Sequence, residues 1–295
     1  MAAGATAKET LRTRLAEPGI LVIPGAADAI TARIIEEARF EAVYATGAGY
    51  SNAAFGLPDL GFVTLTEVVA QVTRIAEAVD IPLIVDADNG YGGVLNVYRT
   101  VQQLERVGAA AIQLEDQVTP KRCGHFDGKS VVSETEMLQK LKAALDARTD
   151  PNLLIVARTD AYQTEGFDAA VARAQAYFDV GADLIFVEAP QTLKELELLP
   201  KLIHAPLVAN MVEGGKTPLV SAADLEAMGF RAALFANTAM RVSAKAARSA
   251  MVSLYTTGDT STLVDQMLTW EERQELMGLP KMQELEARLL GPESD

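Results

Sequence analysis

At 295 residues the chain exceeds a minimal module and suits one large α/β barrel or two modest domains. Apolar residues make up 49% and charged residues 22%, a globular composition that excludes a disordered chain, a collagen-like repeat and a disulfide scaffold. Lysine and arginine number 26 against 40 aspartate and glutamate, a net charge of −14 that argues against nucleic-acid backbones and anionic lipid as partners.

The N-terminal stretch carries Lys8, Glu9, Arg12, Arg14 and Glu17 before its first apolar run, and no run approaches the roughly 18 apolar residues of a membrane span. Neither a signal peptide nor an anchor is expected. Cys123 is the sole cysteine, so no disulfide forms within the chain, and a reducing, cytoplasmic setting is expected.

From residue 20 onward, short continuous aliphatic runs recur at 20–23, 42–45, 81–85, 111–114, 153–157, 184–187, 206–209 and 232–234. Continuous rather than alternating apolarity predicts parallel strands buried on both faces. Between them, 65–78, 94–107, 134–147, 167–180 and 222–228 place apolar residues three and four apart, the period of amphipathic helices. Thr64 and Ser133 suit helix N-caps, while Gly108 and Gly181 close helices just before the next strand. Eight strands alternating with helices predict a TIM-type (β/α)8 barrel. A dinucleotide-binding sheet loses ground because no Gly-x-Gly-x-x-Gly follows the first strand. A further helical pattern over 236–255 is interrupted at Thr256-Thr257-Gly258-Asp259-Thr260-Ser261 and resumes to 289. The expected organisation is a barrel over 1–255 and a C-terminal helical arm over 256–295, packed on its own barrel or on a neighbouring subunit.

In such a barrel the reactive groups stand where strands end. The second strand ends in Thr46-Gly47-Ala48-Gly49, the third in Asp86-Ala87-Asp88, the fourth in Glu115-Asp116, the fifth in Arg158-Thr159-Asp160, the sixth in Glu188 and the seventh in Asn210. Asp86 and Asp88, two apart in extended chain, point the same way. With Glu115 and with Asp59 from the Gly56-Leu57-Pro58-Asp59 loop, they could surround one hard cation, Mg²⁺ or Mn²⁺. For any one acid alone, a capping role is the competing reading.

Between Asp116 and Val132 lies a connection longer than a barrel needs, holding Lys121-Arg122-Cys123-Gly124-His125. A thiol among cations favours thiolate and serves as a proton donor near neutral pH, and Gly124 and Gly128 let the loop fold over a ligand. Competing readings are a core-filling cysteine and a cysteine hydrolase, the latter poorly served by Cys123 and His125 on one short loop. Zinc lacks ligands, since His204 sits at the opposite barrel end from His125. Arg158 could clamp a carboxylate or pair with Asp160, Asp116 or Glu188. Asn210 and the Thr46-Gly47-Ala48 backbone could bond an anion.

Taken together, the Thr46-Gly47-Ala48-Gly49, Gly56-Leu57-Pro58-Asp59, Val85-Asp86-Ala87-Asp88, Ile112-Gln113-Leu114-Glu115-Asp116-Gln117, Lys121-Arg122-Cys123-Gly124-His125, Ala157-Arg158-Thr159-Asp160 and Glu188-Ala189 segments resemble the isocitrate lyase and phosphoenolpyruvate mutase superfamily. The resemblance runs over about residues 19–244 and is strongest to the methylisocitrate lyase and dimethylmalate lyase branch. It implies that Asp86 binds Mg²⁺ directly while Asp59, Asp88 and Glu115 hold its waters. By the same resemblance, Thr46, Gly47 and Ala48 bind an α-keto carboxylate, and Arg158 stabilises the enolate oxygen or carboxylate. Cys123 protonates the departing carbanion, assisted by Lys121 and His125 on a closing loop that includes Gly124. Glu188 and Asn210 orient the other carboxylate, and the last helices are exchanged within a homotetramer.

The implied activity is Mg²⁺-dependent cleavage of a 2-hydroxy di- or tricarboxylate, 2-methylisocitrate or a 2-alkylmalate such as 2,3-dimethylmalate, to pyruvate and a smaller carboxylate. Oxaloacetate decarboxylation or hydrolysis on the same site is the alternative, and a non-catalytic keto-acid-binding barrel is a third reading. The phosphonate branch does not usually carry the Lys-Arg-Cys-Gly-His loop. Two departures bear on substrate. Phe126-Asp127-Gly128 replaces the usual Arg-Pro-Asn, which disfavours a third carboxylate, and Thr46 stands where serine is usual. Phe186 either lines a pocket for a substrate methyl or packs the barrel.

Overall fold

A computed structural model describes residues 6–124 and 128–291. Its described residues part into two compact units, divided between Met240 and Arg241. The division falls inside a helix, ahead of the 255/256 boundary expected from the sequence.

The first unit opens with α1 (Ala7–Ala16), β1 (Leu21–Ala26), α2 (Ala29–Glu37), β2 (Val43–Ala45), α3 (Gly47–Phe55), α4 (Leu65–Ala76) and β3 (Leu83–Asp86). Next come α5 (Val94–Arg106), β4 (Ala109–Glu115), α6 (Glu134–Ala147), β5 (Leu154–Thr159), α7 (Tyr162–Glu165) and α8 (Phe167–Asp179). The unit is completed by β6 (Leu184–Val187), α9 (Leu193–Leu202), β7 (Leu207–Asn210), α10 (Ala222–Met228) and β8 (Ala232–Phe235). Helix α11 (Thr238–Thr257) leads into the second unit, which continues with a short 3₁₀ turn, α12 (Trp270–Leu276) and α13 (Leu279–Leu290). Every strand pairs in parallel with its chain neighbour and β8 returns to β1, closing the barrel.

Two apolar layers hold this arrangement. One lies between strands and helices, where Val72, Val101, Leu141 and Leu199 pack their helices onto the sheet. The other fills the barrel interior, and α1 inserts Leu11 into it from the N-terminal end. Inside, a cavity of about 20 Å³ lined by Ile23, Tyr44, Ile84 and Gln113 has room for about one water, so the barrel is a packed core and not a pore. Helix starts follow capping chemistry: Thr6, Thr64 and Thr192 form capping boxes with Glu9, Glu67 and Glu195. Among the described residues no helix is long and apolar enough to cross a membrane.

Candidate active site

Strand periodicity builds the barrel mouth. Ile84, Gln113, Val156, Leu184 and Val208 line the interior, so each residue two or four positions on points into the mouth. Those residues are Asp86, Glu115, Arg158, Glu188 and Asn210. Adjacent strands then pair them laterally: Glu115 is in register with Arg158, and Arg158 with Phe186.

On one side stand the acids. Asp86 Oδ2 accepts the Gly47 backbone N–H at the start of α3, at 3.3 Å. A side chain at Gly47 would place its Cβ 3.0 Å from that oxygen, so a glycine permits the approach. Asp88 is buried and has a left-handed φ of 47°, a strained conformation for a non-glycine residue. Burial, with Asp86 and Asp59 adding repulsion against the pull of Lys121, pushes its carboxyl up to about 7. Glu115 is likewise raised well above the usual range by burial, with Arg158 opposing.

The Lys121 ammonium sits among them, bonded to Asp59 and 2.7 Å from Asp88. Burial favours its neutral form, but Asp88 and Asp59 outweigh it and hold the amine protonated.

Opposite lies Arg158. Its Nε and Nη2 fork onto Asp160 at 2.9 and 3.0 Å, while Nη2 reaches Glu188 at 3.1 Å and Nη1 Glu115 at 3.4 Å. The guanidinium lies 5.2 Å above the Phe186 ring, which is buried barrel packing beneath the site. Asp116, an expected partner of Arg158, instead accepts Thr159, Tyr177 and the Asp160 N–H, with Arg173 at 3.6 Å. Asn210 donates to Glu188 at 3.4 Å, which brings the two residues expected to orient a second carboxylate together.

The long connection reaches this mouth. Gln117 bridges Val131, and its side chain pins Arg122 through both backbone groups. Cys123 is half-buried and donates its N–H to the Asp59 carbonyl at 3.2 Å. Gly124 is buried directly on the ion pair: a Cβ there would lie 2.4 Å from Arg158 Nη2 and 2.5 Å from Glu188 Oε2. His125 lies outside the described residues, as do Phe126 and Asp127. Thr46 caps α3, accepting the Gly49 N–H, and donates to Asn237. Its hydroxyl is thus engaged away from the acids, whereas Gly47 and Ala48 follow at the first turn.

One participant is not announced by the sequence: Lys129 is buried against Asp160, the expected Arg158 partner that takes the central place in the structure. The two-residue spacing of Arg158 and Asp160 carries enough information to place them on one face. Nothing local marks Lys129, because a lysine beside a glycine normally reads as exposed.

Among the described residues no three His, Cys, Asp or Glu side chains are grouped to hold a metal ion. Lys121 bridges two of the four acids, Asp59 and Asp88. Their chemistry nevertheless fits a hard cation: the donors are all oxygen, and Glu115 Oε1 is buried with no hydrogen-bond partner. Burial is the main cause of the raised Asp88 and Glu115 carboxyls, opposed by Lys121 and Arg158 respectively and supplemented by neighbouring carboxylates.

Residues 11–255 match the family described as phosphoenolpyruvate phosphomutase. The 2,3-dimethylmalate lyase of Eubacterium barkeri is 45% identical over 276 residues, covering 94% of this chain and 96% of that one. The 2-methylisocitrate lyase of Halalkalibacterium halodurans is 42% identical over 281 residues, covering 95% and 93%. An oxaloacetate acetylhydrolase bound to 3,3-difluorooxalacetate superposes with a TM-score of 0.93 at 33% identity, covering 98% of this chain and 99% of that one. A phosphonopyruvate hydrolase in complex with oxalate and Mg²⁺ superposes with a TM-score of 0.87 at 29% identity, covering 97% and 100%.

Proposed function

Since the chain belongs to the phosphoenolpyruvate phosphomutase family, as a carbon–carbon lyase of its methylisocitrate and dimethylmalate lyase branch, we propose that it cleaves a 2-hydroxy di- or tricarboxylate to pyruvate and a smaller carboxylate. 2,3-Dimethylmalate and 2-methylisocitrate are the candidate substrates. The observation that carries the reading is the seating of Gly124 on the Arg158–Glu188 pair, which puts the thiol-bearing segment at the same mouth as the guanidinium and the acids.

Asp86, with Asp59, Asp88 and Glu115, would hold Mg²⁺ (or Mn²⁺), which when bound polarises the substrate oxygens and offsets the charge of the carboxylates. The chain's own residues do the rest. The N–H of Ala48 at the start of α3, joined by that of Gly47 once it exchanges Asp86 for substrate, receives the carboxylate next to the hydroxyl-bearing carbon. Arg158 exchanges part of its hold on Glu188 and Glu115 for a substrate oxygen and stabilises the charge that develops there. Glu188 and Asn210 orient the second carboxylate. The substrate hydroxyl gives its proton to solvent water, the carbon–carbon bond breaks with its electron pair passing to the departing fragment, and the pyruvate carbonyl forms. Cys123 gives its proton to the carbanion of the departing fragment, and the thiolate regains one afterwards, with Lys121 and His125 assisting.

Incubation with each substrate and Mg²⁺, followed by assay of pyruvate, tests the reading, and no pyruvate from either overturns it. A second reading, hydrolysis of oxaloacetate to oxalate and acetate, is favoured by the 0.93 superposition on an oxaloacetate acetylhydrolase, and oxalate release identifies it.

Exposed Val252, Tyr255, Trp270 and Leu289 in the C-terminal unit support a homotetramer whose arms pack on neighbouring subunits, which sedimentation velocity tests. The single cysteine and acidic charge support a cytoplasmic enzyme.

A further inference from the structure

We propose that Lys129 is a positioning residue that holds the Cys123–Gly124 backbone against Arg158. Its side chain is wholly buried, where an ammonium is tolerated only if fully paired. Two partners pair it: Asp160 Oδ1 at 2.7 Å and the Gly124 carbonyl.

Both partners bear on Arg158. Asp160 Oδ1 is shared between Lys129 and Arg158 Nη2, and Oδ2 takes Arg158 Nε. The Asp116 carboxylate fixes the Asp160 backbone N–H at 2.8 Å. Burial works against the Asp160 charge, but Arg158 and Lys129 outweigh it and keep the carboxylate ionised. Gly124 meanwhile leaves no room for a methyl group between its own backbone and the guanidinium. The site of the guanidinium and the site of the thiol-bearing backbone are therefore set by one acid and one amine. Lys129 acts through Asp160 and Gly124, not on substrate. The inference rests on the lyase reading only for the roles of Arg158 and Cys123.

Because Cys123 is the sole cysteine, its alkylation by iodoacetamide reports directly on how firmly this backbone is held. The full-length protein with MgCl₂ and without substrate is treated well below its melting temperature, and adduct formation is followed by intact mass. Lys129→Met is expected to alkylate at least about tenfold faster than the wild type, the consequence of losing a charge-assisted buried hydrogen bond. Glu105→Gln, which weakens the barrel far from the loop, is expected to alkylate at the wild-type rate. Equal rates for Lys129→Met and wild type, or equal acceleration by Glu105→Gln, overturn the proposal. If Lys129→Met does not fold, Lys129→Gln is read by the same two criteria. Pyruvate release plays no part in this measurement, so its outcome stands apart from that of the lyase assay.

Discussion

Lys121 Nζ lies 2.7 Å from Asp88 Oδ1, so an amine of the chain itself compensates one of the acids assigned to a metal. An ammonium neutralises one charge, whereas Asp59, Asp86, Asp88 and Glu115 together supply up to four. Exhaustive chelation is therefore expected to stop pyruvate release, and Mg²⁺ or Mn²⁺ to restore it. Asp88→Asn is expected to weaken Mg²⁺ activation by about 10- to 100-fold, the usual cost of losing a supporting carboxylate. The Mg²⁺ dependence of the initial rate measures this, and activity unchanged after chelation would falsify the metal assignment.

Cys123 offers a second measurement. Serine keeps the shape of the residue but is a far weaker acid than a thiol, so Cys123→Ser removes the proton donor while sparing the loop. Turnover is expected to fall by at least about 100-fold, while oxalate binding, followed by calorimetry, stays within a few-fold. A variant that turns over normally would remove the thiol from the mechanism.

How much of this was legible beforehand depended on range. The strands could be read because continuous apolar runs are a local property, and the acids Asp86 and Glu115 could be placed because strand period fixes their direction once the barrel is assumed. Helices α1, α2, α3 and α9 are not among the segments singled out from periodicity, and α3 shows why: it opens Gly47-Ala48-Gly49-Tyr50, a glycine-rich start with weak helix propensity that tertiary packing overrides. The same helix explains why Gly47 matters, since its N–H meets Asp86. Lys129 was out of reach because its burial is created by Asp160 and Gly124, contacts set by the fold and not by neighbouring residues.

Arg158 is the charge that keeps three buried carboxylates, Asp160, Glu188 and Glu115, compatible with one site. Arg158→Met removes it and strips Glu188 and Glu115 of their guanidinium, while Asp160 keeps Lys129. The expected destabilisation is about 3–5 kcal/mol, the range for breaking a buried pair from one side. Arg158→Lys, which keeps charge but not the fork, should recover part of that stability and little activity. Urea denaturation compares the three proteins, and a Met variant as stable as wild type would contradict this stabilising role of Arg158.

At the opposite end of the barrel, Glu105 accepts Thr149 N–H at 2.8 Å, Asp150 N–H at 2.9 Å and Lys8 at 3.0 Å. Burial opposes its charge, but these donors outweigh it and hold the carboxyl below its usual range. A depressed folded pKa stabilises the native state fully above the unfolded value of about 4.3, and that contribution is lost as pH falls through the folded pKa. At pH 7, Glu105→Gln should therefore be less stable than wild type by about 1–3 kcal/mol, the range for hydrogen bonds to a charged group. The gap should narrow as the pH is lowered through about 4.3, because the unfolded chain then takes up a proton at Glu105 that the folded carboxyl accepts only at lower pH. Denaturation curves at pH 7 and at successive acidic values give the difference directly. A gap that widens in acid would place the folded pKa above the unfolded one and contradict the three-donor account.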